Sequence, residues 1–133
     1  MKAIDTNILV RFLVKDDLKQ ADLVYRLFSK ARETGEKLFV PSCVVLELIW
    51  VLGSVYKASR EKILNALESL LYLPELEFEN RAAIQTFVRI AKQKAVDLSD
   101  VLIGSVAKEK GCESVITFDK KAAARTEMFE LLS

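Results

Sequence analysis

The chain contains no histidine. That excludes Ser-His-Asp and Cys-His catalysis and removes zinc's commonest nitrogen ligand. Cysteine is scarce: Cys43 and Cys112 stand far apart in hydrophobic or helical sequence. Nothing requires a disulfide between them, and the reading is two buried free thiols in a reducing compartment. Neither sign of charge dominates, with 20 Lys and Arg against 19 Asp and Glu and a net charge of +1. A general nucleic-acid coat is therefore excluded, and any binding to RNA or DNA has to be local. No apolar run reaches the ~20 residues needed to span a bilayer. Asp5 interrupts the opening Lys2-Ala3-Ile4 at once, so no signal peptide is expected. The chain reads as soluble and cytoplasmic, with no membrane association. Glycine/serine linkers, low-complexity stretches and charge blocks are also missing, so residues 1–133 read as one domain.

What the sequence does have is 51% hydrophobic residues over 133 positions, enough for a substantial core. Lys2–Ile4 reads as the start of a strand. Helical spacing of apolar residues covers Thr6–Val14 and Leu18–Arg32, with Gly35 as a stop. Leu38–Val40 reads as a short strand closed by Pro41. Ser42 is expected to cap an apolar helix to about Leu52, and Ser59 another whose inward face is Ile63, Leu64, Leu67, Leu70 and Leu71. Leu76–Phe78 is a weak strand. Asn80 is expected to cap a helix with Ile84, Phe87 and Val88 inward, and Ser99 one that runs to Lys110 before Gly111. Ser114–Phe118 is the best strand, followed by a short basic helical turn and an edge strand within Met128–Leu132. Short strands alternating with amphipathic helices predict an α/β layer structure with a mostly parallel sheet. Ligands of such sheets bind beyond the carboxyl ends of the strands, and Asp5 and Asp119 each follow a predicted strand.

Glu47 is a lone charge within Val44–Trp50, with Val44, Trp50 and Val51 at its i−3, i+3 and i+4 positions. That pattern predicts a carboxylate at least half buried, to be neutralised, paired or bound to a cation. Asp5 suits an N-cap and, through its second oxygen, a metal ligand as well. Asp97 and Asp100 flank Leu98-Ser99; Asp100 falls in the first helical turn and is the favoured ligand, with Asp97 as a cap or support. Asp119 ends the best strand, where an aspartate also serves as an ordinary turn residue. Carboxylates gathered at one sheet edge repel one another, and a divalent cation removes that cost. An all-oxygen donor set suits Mg²⁺ or Mn²⁺.

Asp5-Thr6-Asn7, Glu47 in an apolar helix, Asp100-Val101-Leu102-Ile103 with Ala107 a turn later, and Thr117-Phe118-Asp119 together resemble the PIN domain, most closely the VapC-type toxins of prokaryotic toxin–antitoxin pairs. The resemblance covers essentially the whole chain. It implies a three-layer α/β/α fold with a central parallel sheet and Mg²⁺- or Mn²⁺-dependent cleavage of single-stranded RNA. It further implies a metal site of Asp5, Glu47, Asp100 and Asp119, supported by Thr6, Asn7 and Thr117. A homodimer and a small antitoxin partner follow from it too. Arg11, Lys15, Lys120 and Lys121 are candidate contacts to the RNA backbone, and Trp50, Tyr56 and Phe12 could stack on bases, with core or dimer contact favoured for Trp50 and Phe12. Two rivals stand beside this reading. A haloacid-dehalogenase-type phosphatase needs Asp-x-Asp at its start, and Asn7 occupies the second position. A non-catalytic RNA- or antitoxin-binding module would not need all four acids.

Overall fold

A computed structural model describes residues 1–133. It resolves into two compact units, Met1–Glu79 and Asn80–Ser133.

The first unit runs β1 (Lys2–Ala3), α1 (Thr6–Leu13), α2 (Leu18–Thr34), β2 (Leu38–Val40), α3 (Ser42–Ser54), α4 (Arg60–Leu71) and β3 (Leu76–Phe78). Its sheet has the order β1-β2-β3, all parallel, with Lys2 opposite Leu38 and Leu38 opposite Leu76. Helices α2 and α4 begin where side-chain acceptors meet orphan amides: Asp17 accepts from the Gln20 amide at 3.0 Å and Ser59 from that of Lys62 at 3.2 Å. Helix α2 ends at Gly35, whose φ of 76° is the left-handed conformation that closes a helix cheaply only with glycine. The predicted face of α4 (Ile63, Leu64, Leu67, Leu70 and Leu71) is buried throughout. Each such side chain contributes about 1.5–3 kcal/mol when fully buried.

Among these apolar contacts lies one buried carboxylate. Glu75 is 2% exposed and takes two bonds from Arg32 near the end of α2, from Nη2 at 2.7 Å and Nε at 3.4 Å. Its own carbonyl accepts from the Leu38 amide at 2.8 Å. Glu75 therefore ties the end of α2 to the entry of β2 and β3. Nothing in the spacing of the sequence announced this pair.

The second unit runs α5 (Arg81–Gln93), α6 (Leu98–Glu109), β4 (Val115–Thr117), α7 (Lys120–Arg125) and β5 (Phe129–Leu131). Strands β4 and β5 are parallel, Val115 opposite Phe129. Helices α5 and α6 pack together, with Ile84, Phe87, Val88, Val101 and Leu102 buried. A Cβ built on Gly104 of α6 would stand 2.8 Å from Cε and 3.1 Å from Cβ of Met128. The glycine lets the segment before β5 lie close against α6. Gly104→Ala sets the roughly 1 kcal/mol that alanine gains over glycine inside a helix against overpacking at Met128 Cβ, so urea unfolding is expected to show a net change within about 1 kcal/mol.

Every strand pairing is parallel and helices separate the strands, as the α/β reading predicted. Several local expectations are corrected. Ser42 is not the cap of α3: Pro41 occupies that position, and the Ser42 amide donates to Glu79 Oε1 at 2.9 Å instead. Proline fixes the extended entry, so an acid from the end of β3 supplies the acceptor. Ser99 lies inside α6, and Asp97 is its cap. The best predicted strand shortens to Val115–Thr117, with Ile116 66% and Phe118 78% exposed, since alternate side chains of a two-stranded ladder face away from its packed side. Both cysteines are free but exposed rather than buried.

Candidate active site

Three aspartates of the predicted set share one local arrangement. Asp5 caps α1, its Oδ1 accepting from the Asn7 amide at 3.1 Å. Asp97 caps α6, its Oδ1 accepting from the Ser99 amide at 3.0 Å and the Ser99 hydroxyl at 2.8 Å. Asp119 caps α7, its Oδ1 accepting from the amides of Lys121 at 2.9 Å and Ala122 at 3.2 Å. In each case capping engages one oxygen and leaves Oδ2 outside those bonds. The predicted supports act on the same turns. Asn7 supplies the amide that holds Asp5, buried Thr6 opens α1, and Thr117 Oγ1 accepts from the Asp119 amide at 2.9 Å.

Asp5 lies just past β1, Glu79 directly follows β3, and Asp119 lies just past β4. Within each unit these acids therefore sit beyond the carboxyl ends of parallel strands, where α/β folds bind ligands. Glu79 escaped the sequence reading because an acid after a weakly written strand carries no pattern of its own.

In the second unit Asp97, Asp100 and Asp119 line one cleft of about 420 Å³ together with Val96, Lys121, Ala122 and Arg125. The carboxyl of Asp100 is raised above its ordinary range, first by partial burial, then by the charges of Asp97 and Asp119. The N-terminus of α6 favours a carboxylate there; desolvation and like charge outweigh it. Both Asp97 and Asp100 thus belong to this cleft, Asp97 as the helix cap and Asp100 as the carboxylate its neighbours repel.

Glu47 differs from its expectation. It is exposed, because the buried face of α3 is Val45, Leu48, Ile49 and Leu52, and the opposite face presents Glu47 with Leu46 at 39% and Trp50 at 63% exposure. An apolar neighbourhood in sequence marked both faces of α3 as alike; packing separated them. Trp50 is accordingly no core residue. Phe12 packs against Phe28 with ring centroids 4.9 Å apart.

The candidate backbone-contacting cations also have defined positions. Arg11 donates to Gln20 Oε1 at 2.6 Å, Asp16 Oδ1 at 3.1 Å and the Tyr56 hydroxyl at 3.2 Å, which itself donates to Asp16 at 3.1 Å. The Tyr56 hydroxyl, with lesser help from Asp16, holds the guanidinium above its ordinary pKa. Arg11 and Tyr56 thus join α1, the start of α2 and the end of α3. Lys15 lies 5.0 Å from the centre of the Tyr25 ring. Lys120 and Lys121 open α7, with Lys121 on the acidic cleft.

The donor set of that cleft is all oxygen, which suits a hard divalent cation such as Mg²⁺ or Mn²⁺. Its three carboxylates line the space, but no three His, Cys, Asp or Glu side chains of the structure come together as a group that could hold a metal ion. An ion that takes one or two carboxylates and keeps several waters fits so open an arrangement.

Residues 2–127 match the PIN domain. A VapC ribonuclease of Aquifex aeolicus (strain VF5) is 30% identical over 121 residues, covering 91% of this chain and 89% of that protein. The parallel strands with intervening helices are those expected of the three-layer α/β/α PIN class. The chain belongs to the PIN-domain family.

Proposed function

We propose that this protein is a divalent-metal-dependent endoribonuclease, the toxin of a toxin–antitoxin pair, and that residues 1–133 act as one PIN domain. The observation that carries the reading is the cleft that Asp97, Asp100 and Asp119 line together, where partial burial and then the charges of Asp97 and Asp119 raise the carboxyl of Asp100, within a chain that matches the PIN domain from residue 2 to 127. The ribonuclease named among its relatives supports RNA as substrate.

Asp5, Glu47, Asp100 and Asp119 are taken as the acids that hold Mg²⁺ or Mn²⁺, and Asp97, Thr6, Asn7 and Thr117 as the residues that fix them. Glu47 is exposed on α3 and so open to a ligand from solvent. A divalent ion held by these acids would supply Lewis-acid activation of water and screening of phosphate charge. The side chains orient the acids and hold the RNA. Capping fixes the aspartates before any ligand arrives, which limits the ordering needed on binding. Lys120 and Lys121 are placed in the reading as contacts to the RNA backbone; Arg11 and Lys15 remain candidates whose partners within the first unit would have to be exchanged for phosphate. A small antitoxin and a second copy of the chain are the proposed protein partners. No helix is long and apolar enough to cross a membrane, and a cytoplasmic location is part of the proposal.

The test is cleavage of a labelled single-stranded RNA by purified protein. Cutting is expected with Mg²⁺ or Mn²⁺ and none in excess EDTA, with recovery when the metal is restored. Undiminished cutting in EDTA would refute the metal-dependent reading. Hydrolysis of small phosphate esters through an aspartyl phosphate would instead point to a phosphatase. Metal binding without cleavage of varied RNAs would leave a binding module.

A further inference from the structure

The cleft of the second unit carries both signs of charge. It is lined by Asp97, Asp100 and Asp119 together with Lys121 and Arg125. The two cations are four residues apart on α7 and so share one face of that helix. The helix is capped by Asp119 itself, so one short helix carries an acid at its start and both cations along it.

Neither cation forms an ion pair with any of the three carboxylates. Arg125 instead gives one long bond, from Nη1 to the Ala95 carbonyl at 3.4 Å. That contact rests the guanidinium on the segment leading to Asp97. Most of its five donors have no acceptor in the second unit. A ligand that satisfies the whole lining must bring positive charge to the acids and negative charge to the cations. A phosphodiester accompanied by a divalent cation does both. An acidic peptide would suit the cations and be repelled by the acids.

We propose that Arg125 clamps a phosphate of the RNA backbone beside the acids of this cleft, with Lys121 as a second, single-point contact; the assignment rests on the nuclease reading above. The planar guanidinium matches two phosphate oxygens at once, while an ammonium offers only a point charge.

The experiment compares wild type, Arg125→Gln and Arg125→Lys in steady-state cleavage of a labelled single-stranded RNA at saturating Mg²⁺, over a series of salt concentrations. For Arg125→Gln, KM is expected to rise about tenfold, in the range of one lost charge-assisted contact. Its kcat and Mg²⁺ half-saturation should stay within about twofold, as they do when binding alone is lost. The slope of log KM against log salt should fall by about 0.7, the value for one phosphate contact on a single strand. Arg125→Lys should keep the slope and recover only part of the affinity. A folded Arg125→Gln chain with unchanged KM and slope overturns the clamp, as does a fall in kcat and melting temperature with KM intact, which would mark a prop for Ala95. Should Arg125→Gln not fold, an Arg125→Lys chain with wild-type KM overturns the two-oxygen clamp. A wild-type chain that cuts no RNA with metal defeats the nuclease reading and this assignment with it; wild-type cutting with an indifferent Arg125 defeats the assignment alone.

Discussion

Asp100→Asn is expected to reduce RNA cleavage at least a hundredfold while leaving the protein as stable as wild type or more so. Both halves follow from the same crowding. Partial burial and the charges of Asp97 and Asp119 raise the Asp100 carboxyl, so its ionised form is disfavoured in the folded state. A carboxyl whose folded pKa exceeds its unfolded value binds more protons when folded. Its contribution to stability is therefore favourable at low pH and lost as pH rises from the unfolded to the raised folded pKa. At neutral pH the charge opposes folding, and asparagine removes it without changing shape. The same charge attracts a divalent cation, and its loss should cost the transition-state stabilisation supplied there, of the order of 3 kcal/mol or more for a hundredfold change. Thermal melting with and without Mg²⁺ checks both halves. Wild type should gain stability from Mg²⁺ through binding to the folded state, and Asp100→Asn should gain less. A variant that cleaves as wild type does, or that melts well below it, contradicts this account.

Arg32→Ala is expected to have the largest effect on stability, about 3 kcal/mol, and to exceed Glu75→Gln clearly. Breaking a buried pair is costly because of the charge left behind. The two partners differ in what is left. The Glu75 side chain is fully buried and that of Arg32 is 58% exposed. Removing Arg32 strands a carboxylate away from water. Removing the charge of Glu75 leaves a guanidinium that solvent can reach, and glutamine still accepts a hydrogen bond. Glu75→Gln is therefore expected to cost about 1–1.5 kcal/mol, the range of one hydrogen bond. Urea unfolding of both variants at neutral pH tests the order; equal losses would show that solvent reaches Glu75 when Arg32 is gone.

Much of the fold was readable because the periodic signals are local. The face of α4, the strand Leu38–Val40 and the stop at Gly35 each follow from a few adjacent residues. The failures share one cause: a partner distant in sequence. Ser42 has the right chemistry for a cap, but Pro41 takes the position and Glu79 approaches from β3. Glu75 and Arg32 are 43 residues apart, and no spacing rule joins them. Glu47 looked buried because residues on both faces of α3 are apolar, and only packing decided which face is covered. For the candidate site the residue types and their strand-end positions were legible, whereas the opposed charges of the cleft depended on how α6 and α7 come together.

The caps on α1, α6 and α7 bear on how these aspartates can be dissected. Asparagine starts a helix about as well as aspartate, whereas alanine gives up the acceptor and about 1 kcal/mol with it. Alanine replacements at Asp5, Asp97 or Asp119 would therefore fray a helix end and erase a charge in one stroke. The amide variants keep the helix start intact, so that whatever activity vanishes with them belongs to the ionic oxygen alone.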